Sequence, residues 1–482
     1  GGHDRELRSV SGTRVGWRWR VVAGTLTTLI LGVGACGRRP LVPATSPTTT
    51  NRPAAERPSP AVARDTATTP SPDEAFPLDE APPSPSLGDG PLVRIALTVH
   101  VGSAPLSASG AWRLLDEDGG VIVRANPRDR WSIERRGRVL RAVRPDGLAS
   151  AWHAGPVTLR TDRVGTVRSG GRAYRGALRH VATDSGVLVV NVLPLDDYLR
   201  GVVPLEIGDR PAGERDAVEA QAIAARTYTV RRLIAERRGT ARRRWFDLLP
   251  TVADQVYGGL AAERQSSDRA IERTSGLVLM VGGQVADAPF FSTCGGRTAA
   301  ASEVWSVAGA SHLRGVSDRI PGTMRDYCDG SPTYRWTRRL AAAEVDLVVQ
   351  RYLASVTAVP RAGPGRVQGL RVVSTGTSGR VARLELRADG GTFTVPGNAA
   401  RSVLRSPGGD LLPSAYFSLA VEQEGGRLIR AVLEGRGSGH GVGMCQWGAI
   451  GRARAGQDHR AILSAYYPGA TIARLPAGLI TS

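Results

Sequence analysis

The sequence predicts an α+β fold with two β-rich lobes around one central helix. Three features of the chain carry that expectation. Short runs rich in β-branched residues, separated by Gly-containing turns, recur from Leu92 to about Leu193. A single long stretch of helical period follows Pro211, and a second set of alternating runs lies well beyond it.

The elements follow in order. Residues 21–34 read VVAGTLTTLILGVG behind Arg14, Arg18 and Arg20, which is the basic and apolar layout of an export signal, so 1–35 is expected to be a signal peptide. That run is shorter than the roughly 20 apolar residues a membrane-spanning helix needs. It ends Val33-Gly34-Ala35-Cys36, which resembles a bacterial lipobox and would make Cys36 the lipidated first residue; the alternative is an ordinary cleavage site with an incidental Cys. Residues 36–91 are rich in Pro, Ser, Thr and Ala and poor in large apolar residues, so a disordered tether is expected there. The segment 92–186 reads as a β-rich first part of the body, with VRIALTVHV, GVIVRA, VLRAV and VTLRT as strands and GVLVVNVL following.

After Pro211, ERDAVEAQAIAARTYTVRRLIAERRG places Val218, Ala222, Ala225, Thr229 and Leu233 on one helical face, with Glu214 and Asp216 at its start and Gly239 past its end. Strands in GLVLMVGGQVA and a loop-rich stretch through Cys294 and Cys328 come next, then a helix over 341–353. The runs LRVVSTG, VARLELRA and GTFTVPG form the second β-rich region, and a Gly-rich segment and a short helix at His459–Tyr466 close the chain.

Composition narrows the function classes. In 482 residues there are 63 basic against 44 acidic side chains, a net charge of +19, and every basic residue is arginine. A complete lack of lysine fits a GC-rich coding bias better than a surface selected for phosphate. The arginines are scattered, with short clusters such as Arg242-Arg243-Arg244 and no long basic tract, and the export signal also argues against nucleic acid as a partner. Four cysteines in this length exclude a disulfide-stapled miniprotein.

Two clusters carry possible chemistry. The segment Gly435–Gly443, GRGSGHGVG, lacks the lysine of a phosphate loop and has no register giving G-x-G-x-x-G. It leaves backbone that a ligand or a strand can approach closely, with His440, Gln446 and Trp447 around it, a set that suits a sugar; a tight turn with a packed Trp is the equal alternative. The second cluster holds Glu206, a single carboxylate between Leu205 and Ile207. If partly buried it would be held protonated as a general acid; an exposed Glu at a strand end is the plainer alternative. Asp196 and Asp197 read as the start of a short helix.

Taken together, LPLDDYLRGVVPLE, AVEAQAIAARTY, ADQVYGG, FFSTCGGRT and GRGSGHGVGMCQWGA resemble the stage II sporulation protein D (SpoIID/LytB-like) family, over most of 187–336 and 432–469. The resemblance implies a SpoIID-like body with a catalytic core over 187–340, a variable β-rich insertion over 341–431 and the C-terminal end of the core over 432–482. It implies peptidoglycan glycan strands as substrate, cleaved by a lytic transglycosylase, or alternatively a non-catalytic role in which the protein binds peptidoglycan and recruits or stimulates a cell-wall amidase. Glu206 falls on the family's essential acid. One carboxylate can suffice for such an enzyme, although most glycosidases need two. The muramyl 6-hydroxyl attacks the anomeric carbon within the same sugar and forms a 1,6-anhydro ring. Gln221, Arg226, Tyr228, Asp254, Gln255, Tyr257, Ser292, Thr293, His440, Gln446 and Trp447 would contact substrate; Arg226 would either bind a substrate carboxylate or simply pair with an acid, and if it faced Glu206 it would oppose the acid role.

Phe291 stands where many relatives have His, which weakens a His-based metal site there. A Cys294–Cys328 disulfide is the first choice for the body's cysteines, leaving Cys445 as a free thiol. No cofactor is expected; a zinc site of the three cysteines with His440 is conceivable, since some members are reported to bind zinc, but the wide spacing carries no metal signature. The whole protein is expected to be exported and lipid-anchored to a bacterial membrane, facing the periplasm or cell wall.

Overall fold

The computed structural model describes residues 90–162, 165–238, 245–305, 310–476 and 478–480. The expected signal peptide, Cys36, the tether up to residue 89 and the Arg242-Arg243-Arg244 cluster lie outside the described residues.

Alternation builds the first lobe. Leu92–His100, Gly186–Pro194, Ala177–Thr183, Val157–Thr161, Trp112–Leu115 and Val121–Ala125 hydrogen-bond in that order as one antiparallel sheet. A second six-stranded sheet has Ala104–Ala108 and Trp131–Arg136 at its centre. Ile95, Leu114, Leu159 and Val189 of the first sheet share one core with Leu106, Ile133 and Leu140 of the second. Trp112 meets Trp131 edge to face, with ring centroids 6.5 Å apart.

Gly186–Pro194 is buried along most of its length, in keeping with its nearly continuous apolar run. Its one polar side chain, Asn191, is fully buried and satisfied: Nδ2 donates to the carbonyls of Arg175 at 2.9 Å and Ala177 at 3.0 Å, and Oδ1 accepts from the Tyr257 hydroxyl at 2.7 Å. This strand runs straight into two short helices, Leu195–Arg200 and Val203–Ile207. Gly208, at φ 80°, ends the second, a conformation that an L side chain adopts only at a cost.

The long helix is Arg215–Arg238. The expected face is buried, and so are Ala217, Ala220, Gln221, Ile223, Ala224, Arg226, Thr227 and Val230 on its other sides. Burial all round follows from its neighbours: the helices Gln265–Arg273, Gln446–Arg454 and His459–Tyr466 and the strand Leu277–Val281 all pack on it. Alanines at five of these positions allow that close approach.

Beyond the helix, Leu277–Val281 pairs with Thr471–Arg474, so the end of the chain closes on the core. Phe290–Phe291 pairs in parallel with Met444–Cys445, joining segments some 150 residues apart in sequence. The helices Gln265–Arg273, Ala301–Trp305 and Gln446–Arg454 are short or Gly-interrupted and were not legible from periodicity.

Between those paired segments the chain builds the second lobe. Arg335–Ala341, Arg427–Arg436 and Phe417–Glu424 form one sheet, and Val367–Thr375, Val381–Ala388 and Gly391–Pro396 another. With the helix Ala342–Tyr352 they enclose a separate core that includes Leu340, Val345, Val349, Leu384, Val395 and Leu433. No described helix is long and apolar enough to cross a membrane.

The central helix sets a stability prediction. Ile223→Ala, at a fully buried position, is expected to cost about 2–5 kcal/mol in denaturant unfolding. Leu347→Ala, at a position 49% exposed on the second lobe's helix, should shift it by no more than about 0.5 kcal/mol. Equal effects at the two positions would contradict the packing described.

Candidate active site

Glu206 sits in the last turn of Val203–Ile207, half-buried between the exposed Leu205 and the buried Ile207. The Val256 backbone N–H donates to its Oε1 at 3.2 Å, and Gln446 Nε2 approaches Oε2 at 3.4 Å. Gln446 Nε2 also lies 3.4 Å from Gln221 Oε1, so one amide spans both groups. Gln221 is fully buried, and its own Nε2 has no hydrogen-bond partner among the described residues. Three distant segments therefore meet at one carboxyl group.

Burial raises the pKa of Glu206, and the two N–H donors pull it back in part. The net effect is upward, so the protonated form persists to higher pH than for an exposed glutamate. Arg226 does not reverse this. It is 1% exposed and bonds Asp196 at 2.9 Å and the carbonyls of Thr274 at 2.9 Å and Ile271 at 3.2 Å. Of its two expected roles the structure has the second: Arg226 pairs with an acid, joining the long helix to Asp196 and the 271–277 segment, and does not contact substrate.

Tyr228 borders the same cluster. Its hydroxyl donates to Asp254 Oδ1 at 3.2 Å, and its pKa is pushed up to about 12, chiefly by burial and then by the Asp254 charge. It is therefore a neutral hydrogen-bond donor. Asp254 is held by Arg232 at 2.9 Å and by the Leu249 N–H at 2.9 Å. Gln255 and Tyr257 are buried beneath it: Gln255 Oε1 accepts from Tyr198 and Thr229, both at 3.1 Å, and Tyr257 packs on Tyr198 with centroids 5.3 Å apart. These two residues support the site from behind and do not present groups to a ligand, which corrects that expectation.

The Trp447 backbone N–H donates to the Ser292 carbonyl at 3.0 Å. The guanidinium of Arg210 lies 5.5 Å from the Trp447 ring centroid, and its Nε donates to the Ile207 carbonyl at 2.6 Å. Trp447 and Arg210 thus flank the helix that carries Glu206. Arg210 was missed in the sequence, where nothing separates it from other surface arginines. Thr293 is buried, with its hydroxyl 2.6 Å from that of Ser331, and Ser292 Oγ lies 3.2 Å from it.

His440 belongs elsewhere. Nε2 donates to the Phe290 carbonyl at 3.0 Å while Nδ1 accepts from the Val442 N–H at 3.1 Å, which fixes a neutral ring. Burial pushes its pKa down to about 4. It packs against Phe291 and Trp305, at centroid distances of 5.3 and 5.1 Å. With both ring nitrogens engaged by backbone, it neither binds sugar nor ligates metal as drawn from the sequence.

The expected disulfide is also corrected. Cys294, Cys328 and Cys445 are all free and buried, and the Sγ atoms of Cys294 and Cys328 are 3.4 Å apart, against about 2.05 Å for an S–S bond.

Comparison with known proteins bears on this arrangement. The family model described as stage II sporulation protein matches residues 183–281, and one described as a domain of unknown function (DUF8618) matches 323–443. An uncharacterized protein of Brachyspira hyodysenteriae is 31% identical over 302 residues, covering 63% of this chain and 73% of the relative. Stage II sporulation protein D of Bacillus subtilis is 29% identical over 301 residues, covering 60% and 77% respectively. The amidase enhancer of the same organism is 26% identical over 318 residues, 57% of this chain but 40% of the relative.

The raised pKa of Glu206 yields a stability prediction. Wild type carries a penalty that is absent below the unfolded carboxyl value of 4.5 and grows as pH rises from there through the higher folded value. Glu206→Gln removes that penalty. Its thermal midpoint should gain on wild type between pH 4 and pH 8, read by parallel melting curves. A difference that stays constant with pH would contradict the burial argument.

Proposed function

Because the chain belongs to the SpoIID/LytB-like family, we propose that it is a lytic transglycosylase acting on peptide-stripped peptidoglycan strands, with Glu206 as its single general acid and base. The observation that carries this reading is a half-buried carboxyl group with a raised pKa, held by two N–H donors and bordered by Trp447 and Tyr228.

The chemistry needs one carboxyl group used twice. Protonated Glu206 gives its proton to the glycosidic oxygen as the bond to the anomeric carbon breaks. The muramyl 6-hydroxyl of the same sugar bonds to that carbon, and its proton passes to the Glu206 carboxylate, which restores the starting state. The Val256 N–H and the Gln446 amide stabilise the carboxylate formed between these transfers and fix its direction. Asp254, the other carboxylate of the cluster, is engaged by Arg232, Tyr228 and a backbone N–H. It orients the phenol and is not free to act as a nucleophile, which favours the intramolecular route. Trp447 offers an aromatic face for the C–H side of a sugar ring.

On this reading the protein works outside the cytoplasm, held to a bacterial membrane by lipid at Cys36. The name of the amidase enhancer relative favours one other reading, in which the same site holds glycan without cleaving it and recruits an amidase.

Digestion of peptide-stripped glycan strands, followed by mass spectrometry, separates the two. The proposal expects 1,6-anhydromuramyl ends from wild type, and a rate lower by about 10²–10⁴-fold in Glu206→Gln. Strands that bind but stay intact, or full activity in the variant, would favour the non-catalytic reading.

A further inference from the structure

A cleft on the second lobe lies outside everything the Glu206 chemistry uses. It opens on the sheet of Arg335–Ala341, Arg427–Arg436 and Phe417–Glu424, with a volume of about 410 Å³. Small-ligand pockets run from roughly 300 to 1,000 Å³, so the cleft is large enough to hold one. Arg335, Thr337, Ser418, Glu434 and Arg436 line it, and all but the half-buried Arg436 are exposed. So polar a lining suits a hydroxylated, charged ligand and not an apolar one.

The register puts like charges together. Arg335 stands directly opposite Arg436 across the antiparallel pair, and Glu434 stands between Thr337 and Ser418 on the next rung of the same face. Like charges directly opposite destabilise a sheet, so folding does not account for the arginine pair. Among the described residues, the side chains of Arg335, Arg436 and Glu434 make no hydrogen bond or ion pair. Each guanidinium meets only an aromatic ring, Tyr334 at 5.5 Å for Arg335 and Tyr416 at 6.0 Å for Arg436. Arg430, further along the same strand, is by contrast paired with Glu422 at 2.7 Å.

The strand end is held from behind. Trp336 lies over Gly435, where a Cβ would collide with the indole ring, and its Nε1 donates to the Gly437 carbonyl at 2.9 Å. The backbone that presents Arg436 is therefore fixed in advance of any ligand. Two residues on, Ser438 bridges to Thr293, next to the Ser292 carbonyl that accepts from Trp447. One seam thus joins the cleft to the Glu206 site.

We propose that this cleft is a second, non-catalytic glycan-binding site that takes an acidic sugar of a peptide-stripped strand. Arg335 and Arg436 share one sugar carboxylate, which removes their mutual repulsion. Thr337, Ser418 and Glu434 bond hydroxyl groups. Two guanidiniums and one carboxylate leave one net positive charge, the complement of a single sugar carboxylate. The inference rests on the substrate read above, because stripping the peptide frees a lactyl carboxylate on each muramyl sugar. It goes beyond that reading by giving the second lobe a task, which is to hold the strand away from the point of cleavage.

The test measures binding by the full chain carrying Glu206→Gln, so that strands stay intact. The probes are peptide-stripped glycan strands and chitin oligomers, which share the sugar backbone but have no lactyl carboxylates. Arg335→Ala with Arg436→Ala should weaken strand binding about 10–100-fold and leave chitin-oligomer binding unchanged. Arg430→Ala, at the paired arginine, should leave both unchanged. The double variant should melt no lower than its parent, since it removes a like-charge pair, which separates lost affinity from lost fold. Strand binding that ignores the double substitution, an equal loss for chitin oligomers or in Arg430→Ala, or a preference for polyglycerol phosphate over glycan would each overturn the proposal. Strands bound through the two arginines but never cut by wild type would uphold it and count only against the transglycosylase reading. Strands cut by wild type yet bound equally well without the arginines would overturn it alone.

Discussion

The arrangement depends on one short parallel pairing, Phe290–Phe291 against Met444–Cys445. The bridges Thr293 to Ser438 and Ala299 to Val442 extend the same seam. The second lobe leaves the body after Cys328 and returns before this seam, so about 100 residues can be inserted without moving the site. The glycines of the 437–443 segment follow from the close approach. A Cβ at Gly437 would collide with the Thr293 carbonyl, and one at Gly443 with that of Pro289. The Gly-rich segment is thus a backbone seam first, and the residues just after it, Gln446 and Trp447, belong to the Glu206 site.

Opposing electrostatic effects meet at Glu206. Burial favours the neutral acid, while the Val256 and Gln446 donors favour the anion. A group used first as acid and then as base needs both states within reach, and a carboxyl with only one of these influences would be locked into one role. The positive charges near the site are each engaged by another partner. Arg226 pairs with Asp196, Arg232 with Asp254, and Arg210 lies over Trp447.

Much of the fold was legible in the sequence because its elements are strongly patterned. The strand runs VLRAV and VTLRT became Val139–Val143 and Val157–Thr161, and the last helix is His459–Tyr466 as read. The long helix was found from one face, but its burial on all sides depends on partners far away in sequence, which periodicity does not encode. Glu206 and Gln446 were singled out from their local setting and Gln221 through motif resemblance, and only the fold places them together. The errors have a common cause. Arg226, Gln255, Tyr257 and His440 lie in motifs beside the site, yet each has its polar groups engaged inside the protein. Sequence spacing cannot distinguish a polar residue facing substrate from one supporting the wall behind it.

The claim that Glu206 must be protonated to begin the reaction is tested most directly by the pH dependence of kcat/KM on peptide-stripped glycan strands. The account predicts a rate that falls on the alkaline side, with a midpoint above the ordinary glutamate value, because the free enzyme loses its acid there. A rate that rises through the carboxylate range, or does not change across it, would contradict it.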